Sequence, residues 1–379
     1  MPKFITMKKL VFLLLGIGFI AACSSGGSDD EATTKPDSFN RTALLTNWAD
    51  NIIIPSYEGY QQQIVALENA ATAFTNMPTD ATLAAVRIAW LDAYKAYQYV
   101  AIYNFGKADE IHLVSSSNTY PTDAAGIESN ISTGTYNLSL LSQYVKQGFP
   151  AVDYLLNGLG TDDTMLLSFY TTSASATKYK KYLNDVIAKL KENNAIVLND
   201  WKTGYRDAYV KNSGTSVTSA VSTTTNAFVK NFEKDIRTGK VGFPAGKFSN
   251  GTKFPEKVEA FYKNDVSKIL LNTALQASRD FFNGKQYKSE TVGASLKSFL
   301  EYVKAERDGQ LLGTTIDKQY DAIFSSNSAL SDSFSNQVTT DNSKMLMAYD
   351  VMQKQVIYTK LDMTQALNIT IDYVDGDGD

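Results

Sequence analysis

The side chains able to do chemistry in this chain are almost all oxygen-bearing. Among 379 residues there is one histidine, His112, and one cysteine, Cys23, against 40 Asp and Glu and 22 Tyr. A zinc hydrolase holds its metal through histidines, usually with a carboxylate, and activates water there. His112 alone builds no such set, and beside Asp109 and Glu110 it reads as a loop residue. A single cysteine leaves no intrachain disulfide, and none remains for thiolate catalysis if Cys23 is modified. Carboxylate and phenol oxygens suit hard cations such as calcium or ferric iron, so iron stays open as a cofactor or cargo while its identity is unknown. Haem is not favoured by a chain with one histidine, although Tyr and Met can serve as axial ligands.

Four groups of residues are candidates for a site. Asp153 closes the run Gly148-Phe149-Pro150-Ala151-Val152-Asp153. There Gly148 can end one helix and Pro150 suits the first turn of the next, where its missing amide is harmless. Asp153 then lies in that first turn, favouring the positive end of the helix dipole, or it serves as an oxygen ligand for a metal or small molecule. Arg237 and Lys240 fall in a Gly- and Pro-bearing stretch that reads as a loop; they clamp an anionic ligand there, or they are solvated charges. Tyr120 and Asp123 either lend oxygens to a site or shape a turn. The ending Asp375-Gly376-Asp377-Gly378-Asp379 begins like a calcium loop but stops before the acidic twelfth position, so an acidic tail is the better reading.

The elements that must position these residues are helical. Leu83, Val86, Trp90, Tyr94, Tyr97 and Ala101 recur at three- and four-residue spacing, which puts one apolar stripe on one helix face. Trp90 sits on that stripe as a core aromatic by default. Similar stripes run from Tyr179 to Trp201, from Val292 to Val303 and from Met345 to Leu367. Period-two alternation is scarce, so a large sheet is not expected. Pro55 should kink or divide the first helix. The stretches 105–135 and 238–254 read as irregular, and the polar run Lys211–Ser216 as a domain boundary. The spacing predicts an all-α protein of two helical bundles, 39–214 and 215–379, each with long loops.

Lys8 and Lys9, the apolar run from Leu10 to Ala22 and Cys23 read as a lipoprotein signal over residues 1–22, with Cys23 lipidated and residues 23–38 a flexible tether. That address is the outer membrane, with the protein periplasmic or surface-exposed, and its membrane partner is reached through the lipid. The formal net charge of −4 becomes more acidic once Lys3, Lys8 and Lys9 are removed, which argues against a nucleic-acid partner.

The segment Gly148–Leu156 resembles the signature of the imelysin-like proteins, Gly-x-His-x-x-Glu followed by Tyr-Leu-Leu, with Pro150 at the histidine and Asp153 at the glutamate. Trp48–Tyr60, Ala89-Trp90 with Tyr97-Gln98, Asn118–Asp123, Arg237–Gly246 and the end from Leu361 resemble further family segments in the same order. The resemblance implies two similar four-helix bundles with a functional cleft between them, and an envelope role in iron uptake, with an outer-membrane transport system as partner. It also moves Trp90, Phe149 and Tyr154 to the cleft wall, beside Tyr120, Asp123, Asp153, Arg237 and Lys240. Loss of the motif histidine argues against peptidase activity. A binding module for carbohydrate or peptide, or a residual hydrolase, is the alternative.

Overall fold

The stripe Leu83–Ala101 folds into the helix Asp80–Val100, with Ala101 capping it, and every member of the stripe is buried. Thr79 starts the helix. Its hydroxyl accepts the Thr82 amide at 3.2 Å, and the Thr82 hydroxyl accepts the Thr79 amide at 3.0 Å, so two end donors are satisfied reciprocally. The turn before it reverses the chain from the helix Ile54–Asn76, and the two helices pack side by side. The long helix Ala176–Asp200 lies against Ile54–Asn76, while Ser267–Asn283 lies against Asp80–Val100. Leu312–Ser328 and Asn342–Val356 complete the C-terminal packing.

The computed structural model describes residues 38–373. The expected signal segment, Cys23, the tether up to residue 37 and the acidic tail from Val374 lie outside the described residues. Within them the fold is all-α, as the periodicity predicts. Glu306–Arg307 and Gln310–Leu311 pair antiparallel, and no larger sheet is present among the described residues. No helix among the described residues is long and apolar enough to cross a membrane.

Three local expectations change. Pro55 does not divide the first helix: Arg41–Asn47 passes through a π-helical stretch, Trp48–Ile53, into Ile54–Asn76, with Pro55 in the first turn of the last part. Wider turns ahead of the proline relieve the clash of its ring with the preceding carbonyl. The stretch 105–135 holds three short helices, Lys107–Glu110, Leu113–Asn118 and Ala124–Thr133, each too brief to show a stripe. Of 238–254, the first residues continue a π-helix, Asn231–Gly242, and turns follow.

The polar break at Lys211–Ser216 falls between the helices Arg206–Lys211 and Ala220–Lys230. From Phe39 onward the chain nonetheless forms one compact body. Phe281 is one reason. Its ring meets Trp48 at 5.0 Å and Tyr103 at 5.8 Å from the N-terminal half, and Phe228 at 5.3 Å from the C-terminal half. A second cluster lies beneath the Asp80 helix, where Tyr94 stacks on Phe149 at 4.3 Å and Tyr97 meets Phe149 at 5.4 Å.

Gly148 brings that cluster together. It opens the short helix Gly148–Asp153 with φ +77°, and an added Cβ would stand 2.2 Å from the Ser117 carbonyl oxygen. Backbone cannot yield as a side-chain tip can, so Gly148→Ala should destabilise the fold by about 2 kcal/mol or more. Urea unfolding of the two proteins measures it, and a loss under ~0.5 kcal/mol would contradict the close approach.

Candidate functional site

The π-helix Asn231–Gly242 is the element around which a cavity is built. Bonding from i to i+5 widens a helix, so residues five apart come onto one face. Lys234 and Gly239, and Asp235 and Lys240, are two such pairs, and all four line a cavity of about 460 Å³ with Asn231, Ile236 and Phe243. Tyr97, Gln98 and Ala101 from the Asp80 helix, Val114, Asn118 to Pro121, Lys257 and Ala274 form the rest of the wall. Both halves of the chain therefore contribute. The lining is apolar and aromatic with three cations, Lys234, Lys240 and Lys257, against one acid, Asp235. Asp235 is reached by solvent through the cavity but otherwise enclosed by protein. That enclosure pushes its carboxyl up to about 6, while the Asn231 amide, at 3.0 Å, and Lys240 pull it down.

Behind the wall lies Glu259, buried with Lys240. The Lys240 ammonium donates to its Oε2 at 2.5 Å; the Asn118 and Gln98 amides donate to its Oε1 at 2.9 and 3.3 Å. One carboxylate thus ties together the π-helix, the helix Leu113–Asn118 and the Asp80 helix. Tyr94 adds to this knot by donating its hydroxyl to the Asn118 side-chain oxygen.

The Glu259 segment is held in turn by Asp153. Asp153 Oδ2 accepts the Tyr262 amide at 2.9 Å, and Oδ1 accepts the Lys263 amide at 2.9 Å and the Asn157 side chain at 3.0 Å. These backbone donors belong to a turn with Ala260 at φ +57° and Asn264 at φ +66°. Asp153 also borders a smaller cavity of about 190 Å³ with Pro150, Val258 and Phe261, which shares Tyr120 and Pro121 with the larger one. Burial pushes the Asp153 carboxyl up to about 7 against the pull of its three donors.

The model of the imelysins, a family classed as M75 peptidases, matches residues 53–356. The chain belongs to the imelysin family. It is 29% identical over 119 residues to iron-regulated protein A of Synechococcus elongatus, a match covering 30% of this chain and 32% of that protein. The match thus spans about a third of that curated relative. Among solved structures, a candidate iron-regulated protein A precursor from Parabacteroides distasonis superposes with a TM-score of 0.69 at 18% identity, covering 86% of this chain and 94% of its own. An imelysin-like protein from Psychrobacter arcticum gives a TM-score of 0.69 at 15% identity, covering 88% and 97%. At such identities the two structures show a shared fold and no more.

Within this imelysin the signature segment does not fit a metal. Pro150 offers no side-chain donor, and both Asp153 oxygens are already engaged by N–H groups. No group of three or more His, Cys, Asp or Glu side chains among the described residues is arranged to hold a metal ion. The helix-dipole expectation for Asp153 is also corrected. Gly148 opens a helix that runs on through the π-helical stretch Tyr154–Gly158, so Asp153 lies past its first turn and stabilises a different segment's turn.

Of the other expected site residues, Tyr120 and Lys240 line the larger cavity. Trp90 and Phe149 are 0% exposed and belong to the aromatic core, where the Trp90 indole donates to the Phe149 carbonyl at 3.2 Å. The default apolar-stripe reading of Trp90 holds, because a ring on the stripe faces the packed helices. Tyr154 meets Tyr262 at 5.1 Å and donates to Glu128 at 2.8 Å, away from the cavity lining. Asp123 caps the helix Ala124–Thr133, accepting the Gly126 amide at 2.9 Å. Arg237 is neither in a loop nor on the cavity. It is buried in the π-helix, 3.8 Å from Glu233 and with its guanidinium over the Tyr349 ring at 4.9 Å. Sequence reasoning missed Tyr97, Lys234, Asp235, Phe243, Lys257 and Glu259 as site residues. A five-residue spacing of opposite charges, Asp235 and Lys240, was the available signal for one of them.

A carboxyl kept protonated longer in the fold than in the unfolded chain stabilises most at acid pH. For Asp153 that contribution is full below its ordinary value of 3.8 and is lost as the pH passes about 7. The stability of wild type minus that of Asp153→Asn should therefore fall by a few kcal/mol between about pH 4 and pH 7.5. A difference that stays flat in urea titrations at the two pH values would refute it. Removing the charge from Glu259 strands a buried ammonium, so Glu259→Gln should cost about 3 kcal/mol or more in the same assay.

Proposed function

We propose that this imelysin is a binding protein for a small anionic ligand, an iron chelate, held in the cavity between residues 97–121 and 231–274. The observation that carries the reading is three lysines, Lys234, Lys240 and Lys257, around an aromatic wall in a space of about 460 Å³. That volume is within the range of small-molecule sites, and an apolar lining with a few placed charges is their usual composition. Lys257, which has no carboxylate beside it among the described residues, repels a bare metal ion and attracts a chelate that carries carboxylate or phenolate oxygens, while Lys240 and Lys234 are balanced by Glu259 and Glu233. The names of iron-regulated relatives supply the link to iron, and family membership is consistent with it.

The binding reading is preferred to hydrolysis, despite the peptidase name of the family, because Pro150 and Asp153 leave no free donor set in the signature segment. In this proposal the cavity is the cleft between two bundles, 39–214 and 215–379. The protein is lipidated at Cys23 and tethered to the outer membrane, periplasmic or surface-exposed, and hands its ligand to an outer-membrane transport system. Support for the address is confined to the sequence, in Lys8, Lys9, the apolar run and Cys23.

Lys257 is the best residue to test. It touches the Phe254 ring at 3.9 Å and has no ion-pair partner among the described residues, so its replacement should leave the fold intact. Titration calorimetry with citrate and 2,3-dihydroxybenzoate, each with and without ferric ion, should detect binding to the wild-type protein. Lys257→Glu should weaken it about tenfold or more. Absence of binding for all four probes would sink the proposal.

A further inference from the structure

The Tyr97 hydroxyl is the first of two features of the cavity that the fold leaves unexplained. Tyr97 is 1% exposed, lines the cavity, and its hydroxyl has no hydrogen-bond partner among the described residues. A buried O–H without an acceptor carries a desolvation cost, so native proteins seldom leave one unless something else supplies the acceptor. Asp235, Glu259, Tyr60 and Tyr120 are close enough to act on it electrostatically, yet none accepts its proton. Burial holds the phenol well above its ordinary range, which keeps it a neutral donor.

Phe243 is the second anomaly. It lines the same cavity and is 49% exposed, an aromatic ring left in contact with water beside the lysines. Its one ring neighbour is Phe248, at 5.2 Å, among the described aromatic pairs. An exposed ring at a cavity wall offers a stacking surface to a flat ligand.

We infer that the ligand is an aromatic ring bearing anionic oxygens, a catecholate or aromatic carboxylate, whose oxygen accepts the Tyr97 hydroxyl while its ring lies on Phe243. The inference rests on the anion-binding reading and narrows it to one chemical class. Tyr97 is then the orienting donor, Phe243 the specificity-determining ring, and the lysines the source of charge attraction. Citrate, a tricarboxylate that carries more charge but no ring, meets the lysines but not Phe243.

The test uses the purified full chain and two probes, 2,3-dihydroxybenzoate and citrate, titrated into wild type, Tyr97→Phe and Phe243→Ala. Wild type should bind 2,3-dihydroxybenzoate at least about tenfold more tightly than citrate. Tyr97→Phe keeps the ring and its packing, and should weaken the aromatic probe about tenfold, the worth of a hydrogen bond to a charged group. Phe243→Ala alters an exposed side chain, so it should fold normally and lose affinity for the aromatic probe alone. If citrate binds wild type as well as the aromatic does, or if Tyr97→Phe and Phe243→Ala leave affinity unchanged, the inference is overturned while anion binding stands. If neither probe binds wild type, with or without ferric ion, both fall together.

Discussion

A carboxylate buried behind a cavity wall has to be neutralised where it lies, and Glu259 meets that demand with Lys240. In a low-dielectric interior either charge alone would cost several kcal/mol, so each fixes the other's position. The remaining lone pairs of Glu259 are filled by Asn118 and Gln98, which come from two further helices. The cavity is therefore bounded by elements that one buried group holds in register. Lys240 is turned partly inward by the same pair and Lys234 lies 3.6 Å from Glu233, leaving Lys257 as the cation with the most freedom toward the cavity.

Asp153 shows how a signature segment can keep its place in the fold while its atoms do something else. Proline at 150 removes the side-chain donor that the family pattern carries there, and the shorter aspartate reaches two consecutive backbone amides, at Tyr262 and Lys263. Those amides belong to a turn just past Glu259. The segment thereby anchors the chain that carries the buried carboxylate, so signature and cavity are connected through backbone and not through a shared ligand. Gly148 permits this arrangement by letting the segment run against the Ser117 carbonyl.

The π-helix Asn231–Gly242 supplies the other half of the logic. Its wider turns present Lys234, Asp235, Gly239 and Lys240 together, while Arg237 is turned to Glu233 and Tyr349. Lys360, 2.9 Å from Glu233, and Tyr373, whose hydroxyl donates to it at 2.7 Å, pack behind this helix from the C-terminal end of the described chain. The cavity wall is stiffened from behind by buried charge, and aromatic on its open side.

Much of this was legible without coordinates. Stripes such as Leu83–Ala101 determine helices because a three- and four-residue spacing admits one buried face, and so the all-α class and the core position of Trp90 follow from residue order alone. The near absence of imidazole and thiol confines the chemistry to oxygens and cations in the same way. Short helices between Phe105 and Thr135 were hidden, since six or ten residues are too few for a period to emerge. Partners distant in the chain were hidden as well: nothing local marks Glu259 as the mate of Lys240, or the Tyr262 amide as the mate of Asp153. Those pairings are decided by tertiary packing, because burial is what turns an ordinary charge into one that must find its opposite.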